Sequence, residues 1–178
     1  TMSEEIETPG DGQVRAFLTV AGNPVSSTPN GRRLERALGG LEFMASIDIY
    51  VNETTRHADV ILPPASMLCH DNYDVIFNSF AVRNVARVNP PVFDKPAGSL
   101  FDWEIYNGLG RAYAQATGVE YKEMPAPMAV LAKVAKAVGG APHGVDLGPL
   151  KPSLLERLET PDVKIHCAPE VLIADLAR

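Results

Sequence analysis

Three short apolar segments in the first part of the chain each end abruptly at a turn-forming or acidic residue. They are Val14–Ala21 before Gly22-Asn23-Pro24, Leu41–Ile47 before Asp48, and Asp59–Leu62 before Pro63. Apolar runs of this length, bounded by glycine and proline, are typical of strands covered on both faces in a parallel sheet. Polar residues at the carboxyl ends of such strands are where open α/β sheets bind their ligands. The pattern therefore predicts an α/β domain with a polar crevice at one edge of its sheet.

Helical patterns lie between the predicted strands. Apolar residues recur at helical spacing over Gly31–Leu38, and Gly39-Gly40 then ends the helix. A single helical turn is predicted over Thr54–Ala58, directly before the third strand. Such alternation of strands and helices is typical of a doubly wound sheet. The expected fold is a Rossmann-like, three-layer open parallel sheet lobe of the α/β class, with additional short strands and C-terminal helices.

Beyond Pro64 the pattern changes to shorter elements. Ser99 and the acidic Asp102 three residues later predict a capping box that opens a helix, which runs to about Thr117 and ends at Gly118. The other predicted elements are extended segments over 75–77 and 81–88, a helix over 127–138 ended by Gly139-Gly140, a turn-rich loop over 143–150, a short helix over 153–158 and a strand over 163–166. The expected organisation is a linker over 1–12, an α/β lobe over 13–118 and a helical and irregular extension over 119–178. The linker opens on Thr and reads as a connecting loop, so we expect the chain to be a piece of a larger protein.

Charge and cysteine usage argue against several classes of protein. The net charge is −6 and no cluster of lysine and arginine is present to neutralise phosphates, which argues against a nucleic-acid surface. No apolar run approaches the roughly 20 residues that a membrane span needs. Cys69 and Cys167 lie far apart and match no metal-ligand spacing, as expected for free thiols in a reducing cytoplasm. We therefore expect a cytoplasmic domain with no nucleic-acid or membrane partner.

The Gly22-Asn23-Pro24 turn and Asp48 are the first two candidate binding sites. Glycine lets a ligand approach the backbone, and Asn23 can present its amide while Pro24 stiffens the chain. A carboxylate such as Asp48 can accept two hydrogen bonds from a ribose diol, or from the N1–H and the amine of guanine. An ordinary turn is the alternative for the first site, and a helix cap or surface ion pair is the alternative for the second.

Further polar residues gather after the second and third strands. Asn52-Glu53-Thr54-Thr55 predicts a polar cap for the next turn, although its hydroxyls could instead line the crevice. His70-Asp71 could form an acid–base pair or part of a metal site, but no third partner lies at a diagnostic spacing. The alternatives are a polar loop with no chemistry of its own and a contact with a cofactor. Asp102 could cap its helix or contact a ligand. The sequence holds no recognisable catalytic triad, metal-ligand cluster or glycine-rich nucleotide loop, so we assign no catalytic or metal residue and disfavour NAD and ATP.

The combination of these segments resembles the molybdopterin oxidoreductases, the family that includes formate dehydrogenases, periplasmic-type nitrate reductases and dimethyl-sulfoxide reductase. The resemblance is carried by residues 17–24, 41–48, 53–63 and 102–105. Its most specific part is the segment from Glu53-Thr54 to the sequence Ala-Asp-Val-Ile-Leu-Pro over 58–63. The resemblance covers about residues 4–118, and more loosely 143–150.

The resemblance implies a fragment of a catalytic subunit that helps to bind the guanine dinucleotide arm of the molybdenum cofactor. In this family two molybdopterin guanine dinucleotides hold molybdenum or tungsten, and electrons leave through an iron–sulfur cluster. The matching positions imply cofactor contacts from Gly22, Asn23, Pro24, Asp48, His70 and Asp102. The metal-ligating and cluster-binding residues of the family have no match in this chain, so the fragment is expected to be inactive and to hold no cofactor alone. Its expected partners are the remaining domains of the same subunit and an electron-transfer subunit.

Two stretches depart from the family pattern and leave the substrate open. Where the family has an acidic residue followed by Gly-Thr, this chain has Cys69-His70-Asp71-Asn72-Tyr73. The Asn-x-Glu-Gly-Arg pattern that often follows is reduced to Asn78 and Arg83. The alternative hypothesis is a free-standing α/β binding or scaffolding domain without enzymatic activity. The two hypotheses differ in whether a larger catalytic polypeptide surrounds the chain.

Overall fold

A three-stranded parallel sheet organises the first part of the chain. The computed structural model describes residues 1–73, 77–138, 141 and 143–176. The strands are β1 (Ala16–Val20), β2 (Phe43–Ile47) and β3 (Val60–Ile61), in the order β1-β2-β3 with both pairings parallel. Each strand falls within the apolar segment that predicted it. The mixed α/β class and the parallel sheet are confirmed.

Three helices pack beside this sheet and share its core. They are α1 (Met2–Glu7), α2 (Pro24–Ser27) and α3 (Gly31–Leu38), and α3 has the bounds that its pattern predicted. Ile6, Leu34 and Leu38 are buried together with Met44 of β2. The connecting loop expected over residues 4–12 is therefore wrong in its first part, because α1 extends to Glu7 and contributes Ile6 to the core, and only the tertiary contact reveals this.

The two faces of the sheet differ in burial. Side chains alternate along a strand, so Phe17 and Met44, which are opposite each other in register, point towards the helices. On the other face Ala45 and Ile47 are buried. The remaining large apolar side chains of that face are each more than a third exposed: Leu18, Val20, Phe43 and Val60. The cover expected on both faces of the sheet is thus incomplete in the part of the chain that the structure describes.

Short antiparallel strands follow the parallel sheet. β4 (Asn72–Tyr73) pairs with β6 (Val88–Asn89), and β5 (Arg83–Ala86) pairs with β7 (Val145–Pro149). Strands β5 and β6 confirm the extended segment over 81–88. The loop predicted over 143–150 is wrong, because β7 finds its hydrogen-bond partner in β5, some sixty residues away. Of the segment over 75–77, Val75 and Ile76 lie outside the described residues and Phe77 begins a single 3₁₀ turn, Phe77–Phe80.

Helix α4 (Asp102–Thr117) ends where the sequence predicted, at Gly118, whose φ of 75° closes the helix. Its start differs from the prediction. The N-cap is Phe101, whose backbone N–H donates to the Glu104 carboxylate at 2.7 Å. The Ser99 hydroxyl instead donates to the Pro96 carbonyl at 2.7 Å. The predicted capping box of Ser99 and Asp102 is therefore wrong, and Glu104 performs that role two residues later.

The last third of the chain consists of short elements. In place of one helix over 127–138 there are α5 (Pro127–Val130) and α6 (Ala132–Val138), while Gly139 and Gly140 lie outside the described residues. A 3₁₀ turn, Leu155–Arg157, falls within the helix predicted over 153–158, and α7 (Glu170–Asp175) was not predicted. The strand predicted over 163–166 is wrong, because the Thr160 hydroxyl bonds both the N–H and the carbonyl of Lys164. None of the helices in the described ranges has the length and apolar character needed to cross a membrane.

Candidate functional site

A cleft of about 700 Å³ opens at the carboxyl ends of β1 and β2. Its walls are formed by Ala21 after β1, residues 47–49 at the end of β2, residues 64–67 and 70–72 after β3, and Asp102 at the start of α4. Three of the predicted site residues, Asp48, His70 and Asp102, therefore line one cavity although they are far apart in sequence. The crevice lies where the strand ends predicted it.

Asp48 is held at the end of β2 by its own loop. Its Oδ1 accepts the backbone N–H groups of Ile49 at 2.7 Å and of Tyr50 at 3.0 Å. Its Oδ2 accepts a longer hydrogen bond from the side-chain amide of Asn52, at 3.4 Å. A carboxylate offers about four acceptor positions, and these contacts occupy three of them. The unused acceptor position belongs to Oδ2, on a side chain that lines the cleft.

Asn52 also caps the 3₁₀ turn over Thr55–His57. Its Oδ1 accepts the backbone N–H groups of Thr54 at 2.9 Å and of Thr55 at 3.0 Å, while the Thr55 hydroxyl accepts the Asn52 N–H at 2.8 Å. This reciprocal arrangement is a capping box. The polar cap predicted for residues 52–55 is thus confirmed. The two threonine side chains are fully buried and neither lines the cleft.

Asn23 joins the loop after β1 to the loop after β2. Its side-chain nitrogen donates to Glu53 Oε2 at 2.7 Å, and its Oδ1 accepts the Thr54 hydroxyl at 2.7 Å. The same Thr54 oxygen accepts the Val25 backbone N–H at 3.1 Å. The hydrogen bond from Asn23 lowers the pKa of the Glu53 carboxyl below its usual value. Asn23 therefore presents its amide to the second loop.

His70 and Asp102 face each other across the cleft wall. The His70 Nε2 lies 3.9 Å from Asp102 Oδ2 and 3.4 Å from the Ala65 carbonyl oxygen. The imidazole also packs against the Phe101 ring, with ring centroids 4.3 Å apart. These contacts connect the segment after β3 to the start of α4, and they place one ionisable nitrogen between a carboxylate and a carbonyl.

Lys95 supports the same corner of the site. The Lys95 ammonium lies 4.4 Å from the centroid of the Phe101 ring and 2.6 Å from Glu104 Oε2. Chiefly through the hydrogen bond from Lys95, and also through the Phe101 N–H, the pKa of the Glu104 carboxyl is lowered. Burial, with a smaller effect from Asp102, raises the pKa of Tyr106 one turn along the helix. The start of α4 is therefore fixed by charge-assisted contacts.

The charges around the cleft favour a particular class of ligand. Asp48, Asp71 and Asp102 line it with only one imidazole, His70. Carboxylates accept hydrogen bonds, so this lining suits a ligand group that is rich in N–H or O–H donors and carries no negative charge. Among the described residues, no group of three or more histidine, cysteine or acidic side chains is arranged to hold a metal ion.

The predicted turn residues Gly22, Asn23 and Pro24 lie outside the lining of the cleft, and α2 begins at Pro24. Sequence reasoning missed several lining residues on the loops after the strands. Ile49 and Met67 are exposed apolar side chains of the cleft. No local pattern reports such residues, because an apolar residue in a loop carries no periodicity. Ile49 follows closely on the end of β2, and that position is a signal that could have identified it. Met67 lies further along the chain after β3 and has no such signal.

Comparison with known proteins relates the chain to one family. A family profile described as "Molybdopterin oxidoreductase" matches residues 1–112. The assimilatory nitrate reductase catalytic subunit of Bacillus subtilis is 29% identical over 118 residues, which cover 66% of this chain and 16% of that protein. The F420-dependent formate dehydrogenase 1 subunit alpha of Methanococcus maripaludis is 29% identical over 137 residues, which cover 75% and 20%. The NADPH-Fe(3+) oxidoreductase subunit alpha of Geobacter sulfurreducens is 30% identical over 127 residues, which cover 71% and 14%.

The family profile spans the parallel sheet, its helices and the residues that line the cleft. The aligned segments represent a fifth or less of the length of these curated relatives. The profile covers more than half of the chain, from α1 into α4. The chain belongs to the molybdopterin oxidoreductase family.

Proposed function

We propose that the cleft binds the guanosine end of a molybdopterin guanine dinucleotide, and that the chain forms one part of the cofactor cradle in a catalytic oxidoreductase subunit. The observation that carries this proposal is Asp48. Its carboxylate is fixed by the Ile49 and Tyr50 N–H groups, and its Oδ2 keeps an acceptor position at the cleft. A fixed acceptor binds a donor group without first losing conformational freedom.

The chemistry of the lining fits this group. Guanine offers an N1–H and an exocyclic amine, and ribose offers two hydroxyls, all of which can donate to carboxylates such as Asp48 and Asp102. The exposed apolar side chains of Ile49 and Met67 offer surfaces for the faces of a purine. The diphosphate fits less well, since the three aspartates of the cleft would repel it. We therefore assign the guanosine end to the cleft and the phosphates to groups outside it.

When bound, the pterin cofactor carries molybdenum or tungsten and supplies two-electron redox chemistry. The residues proposed to hold its guanosine end are Asp48, His70 and Asp102. We propose a weaker role for Gly22, Asn23 and Pro24. They would support the binding site from one side, through the loop that Asn23 fixes against Glu53. The chain contributes binding and orientation and no reacting group, so we expect no activity from it alone.

The remaining parts of the proposal concern the surroundings of the chain. We propose partners within the same catalytic subunit, which would hold the metal and the iron–sulfur cluster, and an electron-transfer subunit. Residues 13–118 would form the Rossmann-like cofactor lobe and residues 119–178 an extension of it. A cytoplasmic location is supported by the unpaired state of Cys69 and Cys167.

Replacement of Asp48 tests the proposed function in the parent polypeptide. We expect Asp48→Ala to lose cofactor, because a hydrogen bond to a charged group contributes about 1.5–3 kcal/mol. Asp48→Asn is the sharper variant, since an asparagine Oδ1 can still accept the two loop N–H groups while Oδ2 is replaced by a donor. The measurement is molybdenum and guanine per polypeptide. Glu42→Ala, at the opposite end of β2, is the matched control, and wild-type cofactor content in both Asp48 variants would refute the assignment.

A further inference from the structure

We propose that Asn52 is a positioning residue that orients the Asp48 carboxylate towards the bound guanosine. This inference rests on the proposed function and deepens it. Asn52 belongs to the loop after β2 and is absent from the lining of the cleft. Its effect on the ligand is exerted entirely through Asp48.

The capping contacts fix which way the Asn52 amide faces. Its Oδ1 accepts two backbone N–H groups, from Thr54 and Thr55, which use both lone pairs of that oxygen. A flipped amide would place N–H donors against N–H donors and lose both bonds. The nitrogen must therefore face the other way, where Asp48 Oδ2 lies 3.4 Å distant. One side chain thus connects the buried capping box to the carboxylate at the cleft.

Three donors then determine how Asp48 meets its ligand. The Ile49 and Tyr50 N–H groups hold Oδ1, and Asn52 holds one side of Oδ2. The carboxylate is left with a single acceptor position, so it receives one hydrogen bond from the ligand and not a two-point contact with guanine or a ribose diol. Without Asn52 the loop N–H groups still hold Oδ1, but the direction of Oδ2 is no longer defined.

Two substitutions at Asn52 separate its positioning role from its capping role. Serine is as good an N-cap as asparagine, so Asn52→Ser keeps an acceptor for the turn but cannot reach Asp48. Asn52→Asp keeps the cap and places an acceptor against the Asp48 carboxylate. In the cofactor-loaded parent polypeptide, we expect Asn52→Ser to release guanine-containing cofactor about tenfold faster, with a larger effect for Asn52→Asp. Release is followed by chromatography of the guanine freed into the buffer, and thermal unfolding is recorded in parallel.

Leu38→Ala is the control for a purely structural effect. It removes a side chain that is buried in the core with Ile6, Leu34 and Met44, outside the lining of the cleft and away from Asp48 and Asn52. We expect it to lower the unfolding temperature while the rate of cofactor release stays near that of the wild type. Wild-type release from Asn52→Ser would overturn the proposal. It would also be overturned if release rose in both Asn52→Ser and Leu38→Ala in proportion to the loss of stability of each variant. If the Asp48→Ala polypeptide also keeps its cofactor, the proposed function itself fails, whereas normal release from Asn52→Ser alone removes only the role of Asn52.

Discussion

Ala21 carries the backbone strain at the end of β1. Its φ is 47°, in the left-handed region that residues with a Cβ avoid, and its N–H donates to the Ile47 carbonyl at 2.9 Å. The adjacent Gly22 has no positive φ, and a Cβ built on it would meet only the Val20 carbonyl oxygen, at 3.5 Å. The Gly-Asn-Pro turn suggests that Gly22 adopts a backbone conformation available mainly to glycine. That conformation is instead adopted one residue earlier, by Ala21, which lines the cleft.

Replacement of Ala21 by glycine is expected to stabilise the protein. The left-handed conformation costs alanine roughly 1–2 kcal/mol, and glycine avoids this cost. Glycine has a greater conformational entropy in the unfolded chain, however, which offsets about 0.5–1 kcal/mol of the gain. The expected net gain in the free energy of unfolding is about 0.5–1 kcal/mol. Urea unfolding measures it. Ala45→Gly, within β2, is the control and should destabilise; equal effects at the two positions would contradict the explanation.

At the scale of single elements, the start of α4 links the cleft to the acid–base state of Glu104. The Glu104 carboxylate accepts from the Phe101 N–H and pairs with Lys95, and Asp102 of the cleft is the first residue of the same helix. The pKa of Glu104 is lowered from its ordinary value of 4.5 by these contacts. Its contribution to stability is therefore present above 4.5 and is lost as the pH falls through the lower pKa of the folded state.

Substitution of Glu104 by glutamine is expected to remove this part of the acid sensitivity. The wild-type protein should lose more stability than Glu104→Gln between neutral pH and values below 4.5. The reason is that Glu104 gains a proton in this range, whereas glutamine at the same position has no group to protonate. Thermal unfolding over a pH series gives the difference between the two proteins. Lys95→Met removes the main cause of the lowered pKa and should give an intermediate slope. Parallel curves for wild type and Glu104→Gln would show that the contact is not maintained in solution.

The elements also show which local sequence patterns are sufficient to predict secondary structure. Helix α3 and the end of α4 follow from apolar spacing and a following glycine, since both signals act within a few residues. Strand β7 does not, because its turn-rich sequence becomes extended only by pairing with β5. The sequence predicts Ser99 as the N-cap of α4, yet the backbone enters the helix two residues later, where the Glu104 carboxylate accepts the N–H of Phe101.

At the scale of the whole molecule, the parallel sheet has one face that the described residues only partly cover. Leu18 and Phe43 of that face are 45% and 48% exposed, on an edge strand and the strand beside it. Exposed apolar sheet surface promotes association between chains.

We expect the 178-residue chain to self-associate through this face. The double substitution Leu18→Thr and Phe43→Thr keeps residues that favour strands, lowers the apolar exposure and should shift the chain towards the monomer. Sedimentation velocity at several concentrations measures the shift. The same changes at Leu172 and Ile173, exposed residues of α7, serve as the control. An unchanged distribution in the sheet variant, or the same shift in the α7 variant, would rule out the sheet face as the cause.

The site shows the same division between local and long-range information. Asp48 was predictable, because a carboxylate directly after a buried strand has to emerge at the edge of the sheet. That His70 and Asp102 reach the same cleft follows from the path of the chain after β3 and from the bridge that pairs Pro64 with Leu100. Asn23 has the residue type and position expected of a ligand contact, yet its amide is bound to Glu53 and Thr54.

The sequence by itself determined the class of the fold, the three strands, the helix α3 and the position of the crevice, because alternation, apolar runs and glycine stops act over short distances. Its motifs also indicated the molybdopterin oxidoreductase family, which the family profile confirms. The tertiary structure alone decided which polar residues share the cleft and which bind one another. Hydrogen bonds such as those from Asn52 to Asp48 and from Asn23 to Glu53 depend on where loops meet in space, and side-chain type and spacing do not specify that meeting.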